Sequence, residues 1–253
     1  MLLPRRYVLV AAALGLFVLG APSETRADAP SEVPRALMDG LANHAERLEE
    51  MKRRGAFTMS GRMEEVDGDG KASDLKEVLL RSTPTPTPLD RITNVIRFTD
   101  NGEDKTADAQ KKATERRDKR LKDPAKQAEV RKKDLKMPFL PSEQGRYVFT
   151  VAARDPAQPG RLRIGFAPKV EAENAIKGSA WVEEATREVL SMGFSFSKNP
   201  VFVDHVDIQL AFGLATPLGR APSTLSFDGR GGFLFIRKHY RGSATLSDAR
   251  LAF

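Results

Sequence analysis

The sequence predicts a mainly β protein of the α+β kind, an antiparallel meander curled into an incomplete barrel, with an N-terminal helix and a basic helical insertion. Three observations carry this expectation. Apolar and polar side chains alternate with a period of two through most of the second half, as in Val206, Ile208, Leu210, Phe212 and Leu214 against Asp207, Gln209, Ala211 and Gly213. Helical spacing is confined to one stretch near the start and one charged stretch in the middle. The strand-like segments follow one another through short turns rich in Gly, Pro and Asp.

Taken in chain order, Arg5 and Arg6 precede an apolar run from Tyr7 to Gly20 and then a polar stretch with small residues. This is the pattern of an export signal, with cleavage after Ala27 or after Gly20. The run is shorter than the roughly 20 residues a membrane-spanning helix needs, so a cleaved signal over 1–27 is expected rather than a stable transmembrane anchor. Residues 28–253 are then expected to form one domain.

Ser31 is placed to cap a helix that tolerates Pro34 in its first turn and repeats Leu37, Leu41, Leu48 and Met51 on one face. Lys52, Arg53 and Arg54 suit the negative end of its dipole, and Gly55 supplies a stop. Phe57, Met59 and Met63 then alternate with polar residues as a strand, Asp67-Gly68-Asp69-Gly70 forms a hairpin turn, and Leu75 to Leu80 returns. Thr83 to Pro88 alternates Thr with Pro and reads as extended edge or loop, and Arg91 to Phe98 resumes a strand.

Between 103 and 136 lie 13 Lys or Arg and 8 Asp or Glu, which with the export segment accounts for the formal charge of +7. The apolar residues there are mostly Ala, and Pro124 is expected to interrupt the helix. Two readings stay open for this insertion: a solvated excursion, or a weakly packed lid over a cavity. Because the basicity is local and the chain is read as exported, nucleic acid is not an expected partner.

Further strands are expected at Tyr147–Val151, Leu162–Phe166, Gly178–Glu183, Glu188–Phe196, Val206–Leu214, Ser223–Phe227 and Phe233–Tyr240, with one more near the C-terminus. In the fourth of these, Leu190, Met192, Phe194 and Phe196 are expected to share the buried face.

The chain contains no Cys, which removes thiolate catalysis, Cys-ligated zinc, disulfides and lipid attachment through cysteine. His44, His205 and His239 lack metal-ligand spacing, and no Gly-x-Ser-x-Gly or phosphate-binding Gly-rich loop is present. Glu64 and Glu65, and likewise Glu183 and Glu184, are adjacent on strands and point to opposite faces, so neither pair can act on one bond. Lys71 stands where a calcium loop wants another ligand, so the acidic turn reads as a turn. No catalytic residue, cofactor or metal is expected.

The order of helix, long meander, basic helical insertion and more meander resembles the LolA-like superfamily of periplasmic outer-membrane lipoprotein carriers. Local echoes are Phe98 to Lys105 (FTDNGEDK), which runs into the charged helix, and Gly178 to Val189 (GSAWVEEATREV), where Trp181, Val182 and Glu183 match a Trp-Val-Asp strand end with Glu in place of Asp. The resemblance implies an open half-barrel that holds acyl chains under helical lids.

The expected function is therefore a non-enzymatic periplasmic or envelope binding protein, a carrier of lipid or lipoprotein acyl chains. Its apolar face would carry Met192, Phe194, Phe196, Ile208, Leu210 and Phe212, with Trp181 as a contact or a packing anchor. The alternative is a structural or protein-interaction module in which the same face is a filled core and the basic helix docks an envelope protein or anionic surface.

Overall fold

The computed structural model describes residues 31–87, 90–123, 125, 127–128, 134–233 and 236–253. The expected export segment, Pro88, the helix interruption at Pro124 and Val130 lie outside the described residues. Helix α1 (Arg35–Arg54) leads directly into β1 (Gly55–Val66), and β2 (Ala72–Pro84), β3 (Arg91–Asp100) and the short β4 (Glu103–Asp104) follow. Helix α2 (Thr106–Lys122) and the single turn α3 (Pro141–Gln144) precede β5 (Tyr147–Arg154), β6 (Arg161–Pro168), β7 (Ile176–Glu183), β8 (Glu188–Phe196) and β9 (Val203–Ala211). A small hairpin of β10 (Leu214–Thr216) and β11 (Gly219–Ala221) comes next, and β12 (Thr224–Phe233) and β13 (Ile236–Leu251) end the chain.

Eleven strands form one antiparallel sheet in the order β4-β3-β2-β1-β13-β12-β9-β8-β7-β6-β5, curled and not closed into a barrel. It consists of two meanders sewn together where β1 pairs β13, from Gly55 opposite Leu251 to Val66 opposite His239. The alternation in the sequence is realised as transverse rows of side chains. On one face, register neighbours run Val151, Ile164, Ala180, Met192, Leu210, Leu225, Ala244, Gly61, Val78 and Phe98, apolar across ten strands. On the other face the row Ser179, Gly193, Gln209, Ser226, Ser243, Arg62, Glu77 and Thr99 carries polar side chains or none. A sheet built this way hides one surface and wets the other.

Helix α1 lies on the apolar face, and with Phe139 and Leu140 it covers the β5–β8 half, where Leu41, Phe139, Leu162, Ile164, Val182 and Val189 are fully buried. His44, also fully buried, stitches the helix down. Its Nδ1 accepts the Val189 N–H at 3.1 Å and its Nε2 donates to the Arg220 carbonyl at 2.9 Å, which fixes a neutral ring with the proton on Nε2. Burial lowers the ring's pKa.

Several local expectations are corrected. Ser31 does not cap α1, whose N-cap is Pro34; its carbonyl instead accepts the Val151 N–H at 2.8 Å and adds a bridge to the edge of β5. Gly55 is extended (φ −78°) rather than left-handed, and it is glycine because a Cβ would overlap the Met51 carbonyl oxygen. A bulge opposite Trp181 and Val182 turns Val189, not Leu190, onto the buried face. β9 stops at Ala211, leaving Leu214 to the small hairpin, and β13 is one strand of 16 residues where a strand to Tyr240 and a separate last strand are expected.

Helix α2 buries none of its residues and runs along the outer edge of β3. Gln110 Oε1 accepts the Val95 N–H at 2.7 Å while its Nε2 reaches the Thr93 carbonyl, and Thr106 Oγ1 accepts the Phe98 N–H at 2.9 Å. Side-chain groups thus stand in for the neighbouring strand that an edge lacks.

Candidate functional site

The apolar face continues past its helical cover. Over β9, β12, β1, β2 and β3 it presents Ile208, Leu225, Phe227, Met59, Leu80, Val95 and Phe98, all half-buried. The second transverse row, Phe149, Phe166, Gly178, Phe194, Ile208, Phe227, Gly242, Met63, Lys76 and Asp100, sets glycines beside phenylalanines and turns polar only at its last two members. At Gly242 the absent side chain makes room for the Phe227 ring.

Two clefts open on this face. The smaller, about 280 Å³, lies between the C-terminal half of α1 and the sheet and is lined by Met51, Met137, Met192, Leu210, Phe212 and Leu246 among others. Unbranched thioether side chains let such a wall adapt to what fills it. The larger, about 550 Å³, is a trough at the opposite end, walled by Phe196, Phe202, Val206, Phe227 and Tyr240. Its floor lies low because β12 offers Gly229 and Gly231, which carry no side chain, in register with Val206 and Val203. Its rim carries Lys238, which bonds Glu65, and hydrogen bonding from Lys238 holds Glu65 below the usual carboxylate pKa.

Of the residues expected from sequence, Met192, Leu210 and Phe212 line the first cleft, Phe196 lines the second, and Phe194 and Ile208 pair in register between them. Met192 and Phe212 are buried, at 3% and 2% exposure, as part of the filled core. Trp181 is not brought to these six: it pairs with Arg163 and Ser191 on the polar face, with the Arg163 guanidinium 5.9 Å from its ring. Met59, Val78 and Phe227 also lie on the site; their alternation is legible in the sequence, but which strands adjoin is not, and it is the β1–β13 pairing that brings them to this face.

The polar face holds two histidine–carboxylate pairs, His205 with Asp207 at 2.7 Å and His239 with Asp228 at 2.9 Å, in register on either side of Arg230. His44 is elsewhere, under α1. Nearby, Glu64 sits between Arg62 and Arg241, whose hydrogen bonds, Arg241's first, lower its pKa. Among the described residues no group of three or more His, Asp or Glu is placed to hold a metal ion, and no helix is long and apolar enough to cross a membrane.

No family model and no curated protein matches the sequence. Among solved structures, the chain is similar to a DUF1329 family protein from Desulfovibrio piger, at 10% identity and TM-score 0.40 over 87% of this chain and 94% of that one. It is also similar to the Pseudomonas aeruginosa MucA/MucB complex, at 13% identity and TM-score 0.22 over 84% and 94% of the two chains. A structure of MucB in complex with MucA(peri) matches at 9% identity and TM-score 0.21 over 83% and 94%. Likenesses at this level fix neither a family nor a ligand. The open antiparallel sheet with a helix on its apolar face is compatible with the LolA-like layout, and no sequence match confirms it.

Proposed function

We propose that this chain is a non-catalytic binding protein of the bacterial envelope that holds an acyl chain, of a lipid or a lipoprotein, on the uncovered half of its apolar face. One observation carries the reading: the apolar row that forms a filled core under α1 runs on through Leu225, Ala244, Gly61, Val78 and Phe98, and the same face holds a trough of about 550 Å³ at one end with no helix of the described residues among its walls. Each buried methylene contributes about 0.8 kcal/mol, so a long chain lying in such a trough is held without specific polar recognition. The basic start and short apolar run of residues 1–27 support export to the periplasm. The test is uptake of a fluorescent fatty-acid probe by delipidated protein. Saturable binding at micromolar probe, competed by unlabelled fatty acid, is expected, and no uptake would overturn the reading.

A protein-interaction module of the envelope is the second reading. It is favoured by the position of α2, which lies along the β3 edge and not over the open face, so among the described residues no helical lid closes the trough. If that reading holds, the probe is not taken up and an envelope protein is recovered on the open face by crosslinking from native membranes.

A further inference from the structure

The turn between β8 and β9 presents Val201 at 71% exposure and Phe202 at 58%, adjacent to each other at the mouth of the larger trough. A soluble surface scatters such side chains singly, so a pair on one tip calls for an explanation. The turn is held firmly. The Val203 N–H bonds the Pro200 carbonyl at 3.0 Å, the Gly232 N–H bonds the Phe202 carbonyl at 2.9 Å, and Asn199 Nδ2 bonds the Asp204 carbonyl at 2.7 Å. The close approach of β12 requires Gly231, where a Cβ would overlap the Phe202 carbonyl oxygen. Phe202 itself has φ +72°, a conformation bulky side chains rarely adopt, so the surroundings keep this ring presented at a cost.

Charge around the tip is basic. Arg237 is paired with Asp204 and Lys238 with Glu65, while Lys198 and Arg230 have no carboxylate partner among the described residues. An apolar tip that is already ordered, with surplus cations beside it, matches the chemistry of a bilayer surface: the side chains enter the acyl boundary and the cations meet anionic headgroups. Pre-ordering means little entropy is lost on docking.

We infer that Val201 and Phe202, flanked by Lys198 and Arg230, form a docking tip for an anionic phospholipid membrane, set beside the mouth of the apolar trough. The inference goes beyond the acyl-binding reading and does not need the trough to be filled.

The experiment is flotation of the full chain with vesicles of phosphatidylcholine alone and of phosphatidylcholine with phosphatidylglycerol. The parent chain is expected to float with the anionic vesicles, less with the neutral ones, and less again at high salt. Val201→Asp is expected to weaken flotation on the order of tenfold, and Val201→Trp to strengthen it. Both substitutions sit on an exposed turn, and the gain in the second cannot come from misfolding. Failure of the parent chain to float, or equal flotation of all three proteins, would overturn the inference. Uptake of the fatty-acid probe in solution, measured on the same three proteins, is expected to be unchanged; its absence in all of them counts against the proposed function and not against the docking tip.

Discussion

Asp90 and Arg91, adjacent at the entry to β3, hold two different helices. Asp90 receives Arg117 of α2 through two hydrogen bonds, 2.9 and 2.7 Å, with Arg120 at 3.4 Å and Thr85 Oγ1 at 2.8 Å. Arg91 reaches the other way. It donates to the Lys52 carbonyl in the last turn of α1 at 2.9 Å, to Gly55 at 2.7 Å and to Ser82 Oγ at 2.7 Å, stacked 4.8 Å from the Phe57 ring. One dipeptide thereby fastens the helix on the apolar face and the helix along the sheet edge to the same strand.

Asp90→Asn is expected to loosen α2. The side chain is buried, and hydrogen bonding from Arg117 lowers its pKa from 3.8 to about 2, equivalent to about 2 kcal/mol of stability. Because the folded value is the depressed one, this contribution is full well above the unfolded value of 3.8, shrinks below it and is lost as pH falls through about 2. Urea unfolding at pH 7 is expected to separate the variant from the parent chain by that amount, and at pH 2 to bring them together. Hydrogen exchange at the Val95 and Phe98 amides, which α2 protects, should accelerate in the variant.

Arg91→Lys is expected to cost about 2 kcal/mol despite keeping the charge. A lysine ammonium radiates from one point and cannot span Lys52, Gly55 and Ser82 together, so the carbonyls at the end of α1 lose their donor. A fall in the thermal midpoint with the sheet signal retained at low temperature would show it, and an unchanged midpoint would refute it.

His44 makes stability depend on pH in a different window. Burial lowers its folded pKa below the unfolded value of 6.5, so the unfolded chain takes up the proton first and stability falls as pH drops below that value, remaining full above it. His44→Leu removes this dependence at the cost of leaving the Val189 N–H and the Arg220 carbonyl without partners, on the order of 3 kcal/mol at pH 7. Denaturant unfolding of both proteins at pH 7.5 and pH 5.5 is the check: the parent chain should lose stability between them and the variant should not through this group.

How far the sequence foretold these features follows from what periodicity reports. A period of two tells which side chains share a face, so the apolar faces of β6, β8 and β9 were legible in Leu162, Ile164, Phe194 and Ile208. Periodicity does not tell which strands are neighbours, and the β1–β13 seam that makes one open face out of two meanders was invisible. The length of β13 was hidden because Gly242, Ser243, Ala244 and Thr245 lack the bulk that marks a strand. The role of α2 was hidden for another reason: Gln110 and Thr106 are ordinary helix-surface residues until an unpaired strand edge lies beside them.

The site itself is best probed from its floor. Gly229 lies on the apolar face between Val206 and Tyr240, and a Cβ there meets its nearest atom, Val206 Cγ2, at 3.5 Å, an ordinary contact. Gly229→Phe should therefore fold and place a ring in the trough, lowering fatty-acid probe affinity by at least about tenfold while leaving stability within about 1 kcal/mol. Trp181→Phe is the matched control, because Trp181 stands on the polar face in the row of Arg163 and Ser191 and should leave probe binding unchanged. The pair separates a ligand in the trough from one bound elsewhere: if probe affinity follows Trp181 and ignores Gly229, the ligand lies on the polar face and the apolar half is left as an interface.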